Sequence, residues 1–150
     1  MTDPRPAAPT RRDYRFFSAI PTRWMDNDQY GHVNNVMYYA YFDTVISHFL
    51  IGAAGLDVER GPVIGVCAES GCTYRAAISH PATIDAGLAV GRLGRSSVTY
   101  RIGIFAAGSD ALAAYGHFIH VFVDRATMRP VPIPDPVRTA MEGIAVQPVA

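Results

Sequence analysis

The segment DNDQYGHVNNVMYYAYFDTVISHFLIGAA, Asp26–Ala54, changes character part-way along. Its first residues are rich in turn formers, with Asn27, Asp28, Gly31, Asn34 and Asn35 close together. Beyond them, Tyr38, Tyr39, Phe42, Val45, Ile46, Phe49, Leu50 and Ala53 recur at helical spacing, with Asp43, Thr44, Ser47 and His48 opposite. The spacing predicts one long amphipathic helix over Asn34–Ala54, capped by Asn34 and stopped by Gly55. At its start, acid, amide and imidazole groups crowd against a first helical turn whose N–H groups have no intrahelical acceptor. Such a position stabilises an anion, or an oxyanion that develops during a reaction.

Working outward, apolar and polar residues roughly alternate from Tyr14 to Trp24, which predicts a first strand with an irregularity at Pro21. After Gly61-Pro62 the pattern turns to strands: Val63–Ile78, a break at Ser79-His80-Pro81, then Thr83–Leu93. Val98, Tyr100, Ile102 and Ile104 alternate with Thr99, Arg101, Gly103 and Phe105, and Leu112–Asp124 follows the turn Gly108-Ser109-Asp110. The connections are short enough for antiparallel hairpins. Asp135-Pro136 reads as the start of a short helix ending near Glu142. This order predicts a single α+β domain in which a curved antiparallel β-sheet wraps around one long central α-helix. Gly87, Gly91, Gly103 and Gly116 fit bulges and close backbone approach in the strands. The expected bounds are a flexible tail at 1–12, the domain at 13–142 and a second tail at 143–150.

The chain has 150 residues, about one domain, with 13 basic and 13 acidic side chains and 49% apolar residues. Its arginines are scattered and form no stripe, which argues against a nucleic-acid partner. The N-terminal residues lack the apolar stretch of a signal peptide, and no run reaches the length of a membrane span, so a soluble, cytoplasmic protein is expected. Cys67 and Cys72 are five apart in a predicted strand and are expected on opposite faces as free thiols in a reducing compartment. His117 and His120 likewise fall on opposite faces, and no metal site is expected.

The pattern Asp28-x-x-Gly31-x-Val33-x-x-x-x-Tyr38, opening a long helix ahead of a four-strand run, resembles the hotdog-fold thioesterases. It is most similar to the 4-hydroxybenzoyl-CoA thioesterase and YbgC-like acyl-CoA thioesterase branch, over roughly residues 13–142. The resemblance implies that Asp28 is the catalytic carboxylate, either nucleophile or general base for water, since an unperturbed Asp is ionised at neutral pH. It implies that the Asn35 backbone N–H, seven residues on, polarises the thioester carbonyl. Gly31 would let the loop fold tightly, and Tyr38 would lie near the site. Gly94-Arg95-Ser96-Ser97 is similar to a basic, serine-containing turn near the CoA phosphates, to which Arg92 and Arg95, with Ser96 and Ser97, would contribute. No cofactor is implied beyond the CoA moiety of the substrate. The family's habit implies a homodimer or homotetramer, for which a sheet edge left open gives a physical motive. The chain departs from the YbgC-like branch, which often has Tyr-His where Asn34-Asn35 stand. His32-Val33-Asn34-Asn35 is closer to other hotdog thioesterases, including the acyl-carrier-protein type, so the acyl carrier stays open.

Several residues carry two readings. Asp28 also suits an Asx-turn. Asp26 reads as a turn residue or the ion-pair partner of Arg23, and Asn34 as a helix cap. His32 suits an acid–base role near pH 7 or a backbone-bonding loop position. Tyr39, Tyr41 and Phe42 read as core, and Glu69 as the solvent face of a strand. Two other activities compete with thioester hydrolysis. A hotdog acyl-CoA hydratase or dehydratase usually spaces Asp and His five apart, whereas Asp28 and His32 are four apart. A non-catalytic acyl-CoA or lipid-binding protein would keep the pocket without turnover. No Gly-x-Ser-x-Gly elbow is present, so a serine nucleophile is disfavoured.

Overall fold

The computed structural model of the chain describes residues 7–146. The first six residues of the expected N-terminal tail and the last four of the C-terminal one lie outside the described residues. Strand β1 (Phe16–Pro21) is followed by helix α1 (Met37–His48), strands β2 (Val63–Tyr74), β3 (Thr83–Leu93), β4 (Ser97–Ala106) and β5 (Leu112–Asp124), and helix α2 (Asp135–Gly143). The strands form one antiparallel sheet in the order β1-β3-β4-β5-β2. One cross-sheet row runs Phe16, Leu88, Ile102, Gly116, Cys72.

The alternation read from sequence sorts the strand residues to two faces. Ile84, Ala86 and Leu88 of β3, Tyr100, Ile102 and Ile104 of β4, and Ala114, Phe118 and Phe122 of β5 pack with Tyr38, Phe42, Val45, Ile46 and Phe49 of the helix segment. The opposite face carries a smaller cluster of Tyr14, Ala89 and Phe105. Each fully buried Phe or Ile contributes roughly 1.5–3 kcal/mol by leaving water, so the larger face dominates the stability. The helix comes close to the sheet because Gly116 has no side chain: a Cβ there would lie 2.7 Å from the Phe42 ring. From that contact with β5 the helix crosses to β1, where Phe49 meets Phe16 at 5.5 Å between ring centroids and His48 Nδ1 meets Ser18 Oγ at 2.5 Å.

Three expectations need correction. The helix starts at Met37, three residues after Asn34, and after His48 it widens into a π-helical turn, Phe49–Ala53. It is not the sole cover of the sheet, because α2 adds Val137 and Met141 to the same core. The strand expected over Val63–Ile78 ends at Tyr74, and that over Tyr14–Trp24 spans Phe16–Pro21. The cysteines also differ: a register shift between Cys67 and Glu69 breaks the alternation, so Cys67 pairs with His120 and Cys72 with Gly116, on one face of β5. Both remain free thiols.

Contacts tie residues at both ends of the described chain to the sheet. Arg11 donates to Asp85 at 2.9 Å and to the Ser109 carbonyl at 2.7 Å, and Ala145 bridges to Val90. Among the described residues no helix is long and apolar enough to cross a membrane.

Candidate functional site

The loop from β1 to α1 is pinned at both ends. After β1 the chain makes a short 3-10 turn, Trp24–Asp26, that carries Asp26 inside, 1% exposed. Burial opposes the charge on Asp26. Against it, the Arg23 backbone N–H donates to Oδ2 at 2.9 Å, the Tyr41 hydroxyl to Oδ2 at 2.7 Å, and Arg23 Nε to Oδ1 at 3.0 Å. These bonds win and hold the carboxyl below the usual carboxylate range. The Arg23 pairing expected for Asp26 is present, and Tyr41, fifteen residues away on α1, completes it. Farther on, Asn27 Oδ1 accepts the His80 N–H at 3.0 Å and the Val33 N–H donates to the Ile78 carbonyl at 2.7 Å. The loop is thereby tied to the β2–β3 connection.

Asp28 sits half-buried in a tight turn whose backbone closes on itself. Its N–H donates to the His32 carbonyl at 2.9 Å, and the Gly31 N–H donates to the Asp28 carbonyl at 3.1 Å. Gly31 has φ +81°, and a Cβ there would meet nothing within 4 Å, so the turn needs glycine for its dihedral and not for space. Asp28 Oδ1 accepts the Tyr30 N–H at 2.9 Å, the Asx-turn contact, while Oδ2 has a long contact of 3.4 Å from Asn34 Nδ2. A carboxylate has about four acceptor sites, so Asp28 retains capacity for a water or a substrate carbon on the Oδ2 side.

The turn into α1 leaves one amide over. The N–H groups of Val33, Asn34, Met37 and Tyr38 donate to the carbonyls of Ile78, Asp26, Asn34 and Asn35, and that of Val36 to Asn34 Oδ1 at 3.1 Å. The Asn35 N–H alone in this run has no acceptor among the described residues. The α-helix proper starts at Met37, but Asn34 caps the turn that leads into it, since its Oδ1 accepts the Val36 N–H two residues on. Its two side-chain ends join the Val36 amide to the Asp28 carboxylate.

Two adjoining depressions flank this turn. One, about 540 Å³, is lined by Trp24, Asn27, Asp28, Gln29 and Gly31. The other, about 320 Å³, includes His32, Asn35, Tyr38, Tyr74 and Arg75 in its wall. Asp28 and Gly31 thus lie in one and His32, Asn35 and Tyr38 in the other. Arg92, Arg95, Ser96 and Ser97 are not brought to this place within one chain. Tyr74 pairs with Ala114 on β5 and Ser97 is opposite Val121, seven residues along, a separation of roughly 23 Å at the rise of a strand. Glu69 is exposed beside His117, at 3.5 Å, and also lies away from Asp28. Among the described residues no group of three or more His, Cys, Asp or Glu is arranged to hold a metal ion.

Tyr74 was not legible as a site residue. From the end of β2 its hydroxyl donates to the Asn35 carbonyl at 2.8 Å, and its ring packs edge-on against Tyr38 with centroids 5.1 Å apart. Nothing local marks it in the sequence, because the contact joins residues 39 apart.

The sequence profile of the thioesterase-like superfamily matches residues 22–141, and the chain belongs to that superfamily. A crystal structure of the PA5185 protein from Pseudomonas aeruginosa strain PAO1 is 47% identical, with a TM-score of 0.91 over 94% of this chain and 99% of the other. The PA2801 protein of Pseudomonas aeruginosa is 34% identical, with a TM-score of 0.78 over 83% and 96%. Slr0204, a 1,4-dihydroxy-2-naphthoyl-CoA thioesterase from Synechocystis, is 17% identical, with a TM-score of 0.77 over 84% and 94%, a likeness of fold. No curated protein matches the chain. The five-stranded antiparallel sheet with its helices is that of the hotdog thioesterases, and thioester hydrolysis is the reaction class the family defines.

Proposed function

We propose that the chain hydrolyses acyl-CoA thioesters, with Asp28 as the nucleophile or as the base that takes a proton from water. The observation that carries this reading is the Asn35 N–H at the start of α1, left without an acceptor among the described residues, next to the Asn34 side chain that links the Val36 amide to the Asp28 carboxylate. In the reaction, oxygen adds to the thioester carbon, the Asn35 amide meets the charge on the carbonyl oxygen, the C–S bond breaks, and CoA leaves as thiolate and takes up a proton. Where the oxygen is that of water deprotonated by Asp28, the acid forms directly; where it is that of Asp28, the resulting anhydride is cleaved by a water molecule, which releases the acid and restores the carboxylate. A donor of this kind is typically worth roughly 3–4 kcal/mol of transition-state stabilisation. In this reading Gly31 shapes the turn, Tyr38 walls the pocket, and His32 is the candidate to exchange a proton with the leaving group or water.

The working unit in this reading is a homo-oligomer. Trp24, Met25, Tyr30 and Val36 expose large apolar surface around the site, 84% of Trp24 and 88% of Tyr30. The strand β2 is a sheet edge with a free row of backbone groups. Antiparallel pairing of two β2 strands carries the Arg92–Ser97 hairpin of one copy to the end of the sheet that holds Asp28 in the other. CoA contacts from Arg92, Arg95, Ser96 and Ser97 then cross between subunits.

The test is free-thiol release from a panel of aliphatic and aromatic acyl-CoAs by the native protein and a folded Asp28→Ala variant, with the mass in solution measured alongside. Turnover that collapses in the variant supports the reading. Saturable binding of acyl-CoA without release from any member of the panel would replace it with a binding role.

A further inference from the structure

The oxyanion donor of the proposed reaction is a backbone amide in the frayed first turn of a helix, and its direction depends on what holds that turn. The Asn35 carbonyl accepts the Tyr38 N–H at 3.3 Å, a long bond of the 3-10 type. The shorter bond to the same oxygen, 2.8 Å, comes from the Tyr74 hydroxyl on β2. We propose that Tyr74 is a positioning residue for this chemistry: by holding the Asn35 carbonyl from the edge strand, it fixes the Asn35–Val36 peptide and so limits rotation about the Asn35 Cα of the adjoining peptide, which carries the free Asn35 N–H. The inference rests on the thioesterase reading and adds to it a group that need not touch the reacting atoms.

Three observations make the anchor rigid. Tyr74 is paired across the sheet with Ala114, so its backbone is set by the ladder and not by the loop it serves. Its ring stands at 88° to that of Tyr38, an edge-to-face contact that restrains both side chains. Burial foremost, together with the neighbouring Cys72, raises the Tyr74 phenol above its ordinary pKa, so it stays protonated and remains a donor. The Asn34 side chain holds the other end of the same peptide through the Val36 N–H. The preceding peptide is held by its Asn34 carbonyl, which accepts the Met37 N–H at 2.9 Å, so both peptides flanking Asn35 are fixed while its own N–H is left for a ligand. A donor displaced by even half an ångström from the developing charge loses much of its effect.

The test is Tyr74→Phe, which removes one oxygen from a residue that is 43% exposed and keeps the ring against Tyr38. With the acyl-CoA that the native protein turns over best, kcat is expected to fall about tenfold while KM stays within twofold and Tm within about 2 °C. A tether that only stabilises the fold would lower Tm and leave kcat of the folded protein unchanged. In parallel, 15N–1H spectra follow the Asn35 amide, which is expected to shift and to exchange faster in the variant. A kcat within twofold of native, or an unmoved Asn35 resonance, overturns the assignment. If the native protein releases no thiol at all, the thioesterase reading falls and the catalytic role of Tyr74 falls with it. The Asn35 resonance then still decides whether Tyr74 holds the turn.

Discussion

The loop between β1 and α1 is built twice from the same kinds of residue, and its two halves come out differently. In the first half, Asp26 takes bonds from the Arg23 backbone, the Arg23 guanidinium and the Tyr41 hydroxyl, and is sealed from water. In the second half, Asp28 takes one short bond, from the Tyr30 N–H, and stays half-exposed beside a turn with an unpaired amide. The two carboxylates are two residues apart. The difference lies in how many donors the fold aims at each: a carboxylate with all its acceptor sites filled holds structure, and one with a site left open is available for reaction.

Exchanging each acid for its amide separates the halves. Asp28→Asn keeps an oxygen for the Tyr30 N–H but removes the charge, so kcat for thioester hydrolysis is expected to fall about 10²- to 10⁴-fold with little change in Tm, read by thiol release and thermal unfolding. Asp26→Asn should do the reverse. The buried amide keeps an oxygen for some of the Arg23 and Tyr41 donors but loses the charge they are aimed at and turns an NH2 toward one of them, which costs about 2 kcal/mol. For a chain of this size that lowers Tm by roughly 5 °C, while activity per folded molecule stays within several-fold. If Asp26→Asn abolished turnover without affecting Tm, the assignment of the two halves would have to be exchanged.

Acid tests the sealed side of the comparison. Burial pushes His120 down to about 4, against 6.5 for an unfolded chain. Between those values the unfolded chain binds a proton that the folded protein does not, so stability falls as pH drops from about 6.5 to about 4 and then levels off for this group. The full window is worth about 3 kcal/mol. The carboxyl of Asp26 is held below its unfolded value, so its contribution is present above about pH 4 and is lost at lower pH. Urea midpoints measured from pH 7 to pH 3.5 should show the upper window flatten in His120→Gln and the lower one flatten in Asp26→Asn. A native protein of constant stability between pH 6.5 and 4.5 would contradict the buried, neutral His120.

Much of the fold was written locally. The apolar stripe from Tyr38 to Leu50, the alternation of Val98–Phe105 and the turn formers before the helix each follow from a periodicity confined to a few residues. What the sequence left out depends on distance or on parity. Asn34 makes the capping bond expected of it, to the Val36 N–H two residues on, yet the turn it caps is not α-helical and the helix begins later at Met37. A single bulge at Ala68 inverts the faces of everything beyond it on β2, which placed Cys67 and Cys72 together. Asp28, Gly31 and Asn35 could be nominated from sequence because they fall within eight residues of one another. Tyr74 and Tyr41 could not, because each reaches its partner through the sheet or the helix, at separations of 39 and 15 residues.

The smallest expected effect belongs to Gly31, and it asks whether the open half is shaped for strength or for chemistry. A Cβ at this position has room, so Gly31→Ala has only the dihedral at φ +81° to oppose it. That strain is on the order of 1–2 kcal/mol if the turn keeps its form. The backbone can lower it by relaxing, but relaxation moves the Gly31 N–H from the Asp28 carbonyl and with it the carboxylate away from Asn34 Nδ2. A turn that keeps its form predicts a Tm lowered by roughly 3–5 °C with kcat nearly intact. A turn that relaxes predicts a smaller loss of Tm with a several-fold loss of kcat. Measuring both in one variant tells which holds, and a change in neither would mean that the turn's conformation is not what sets Asp28 in place.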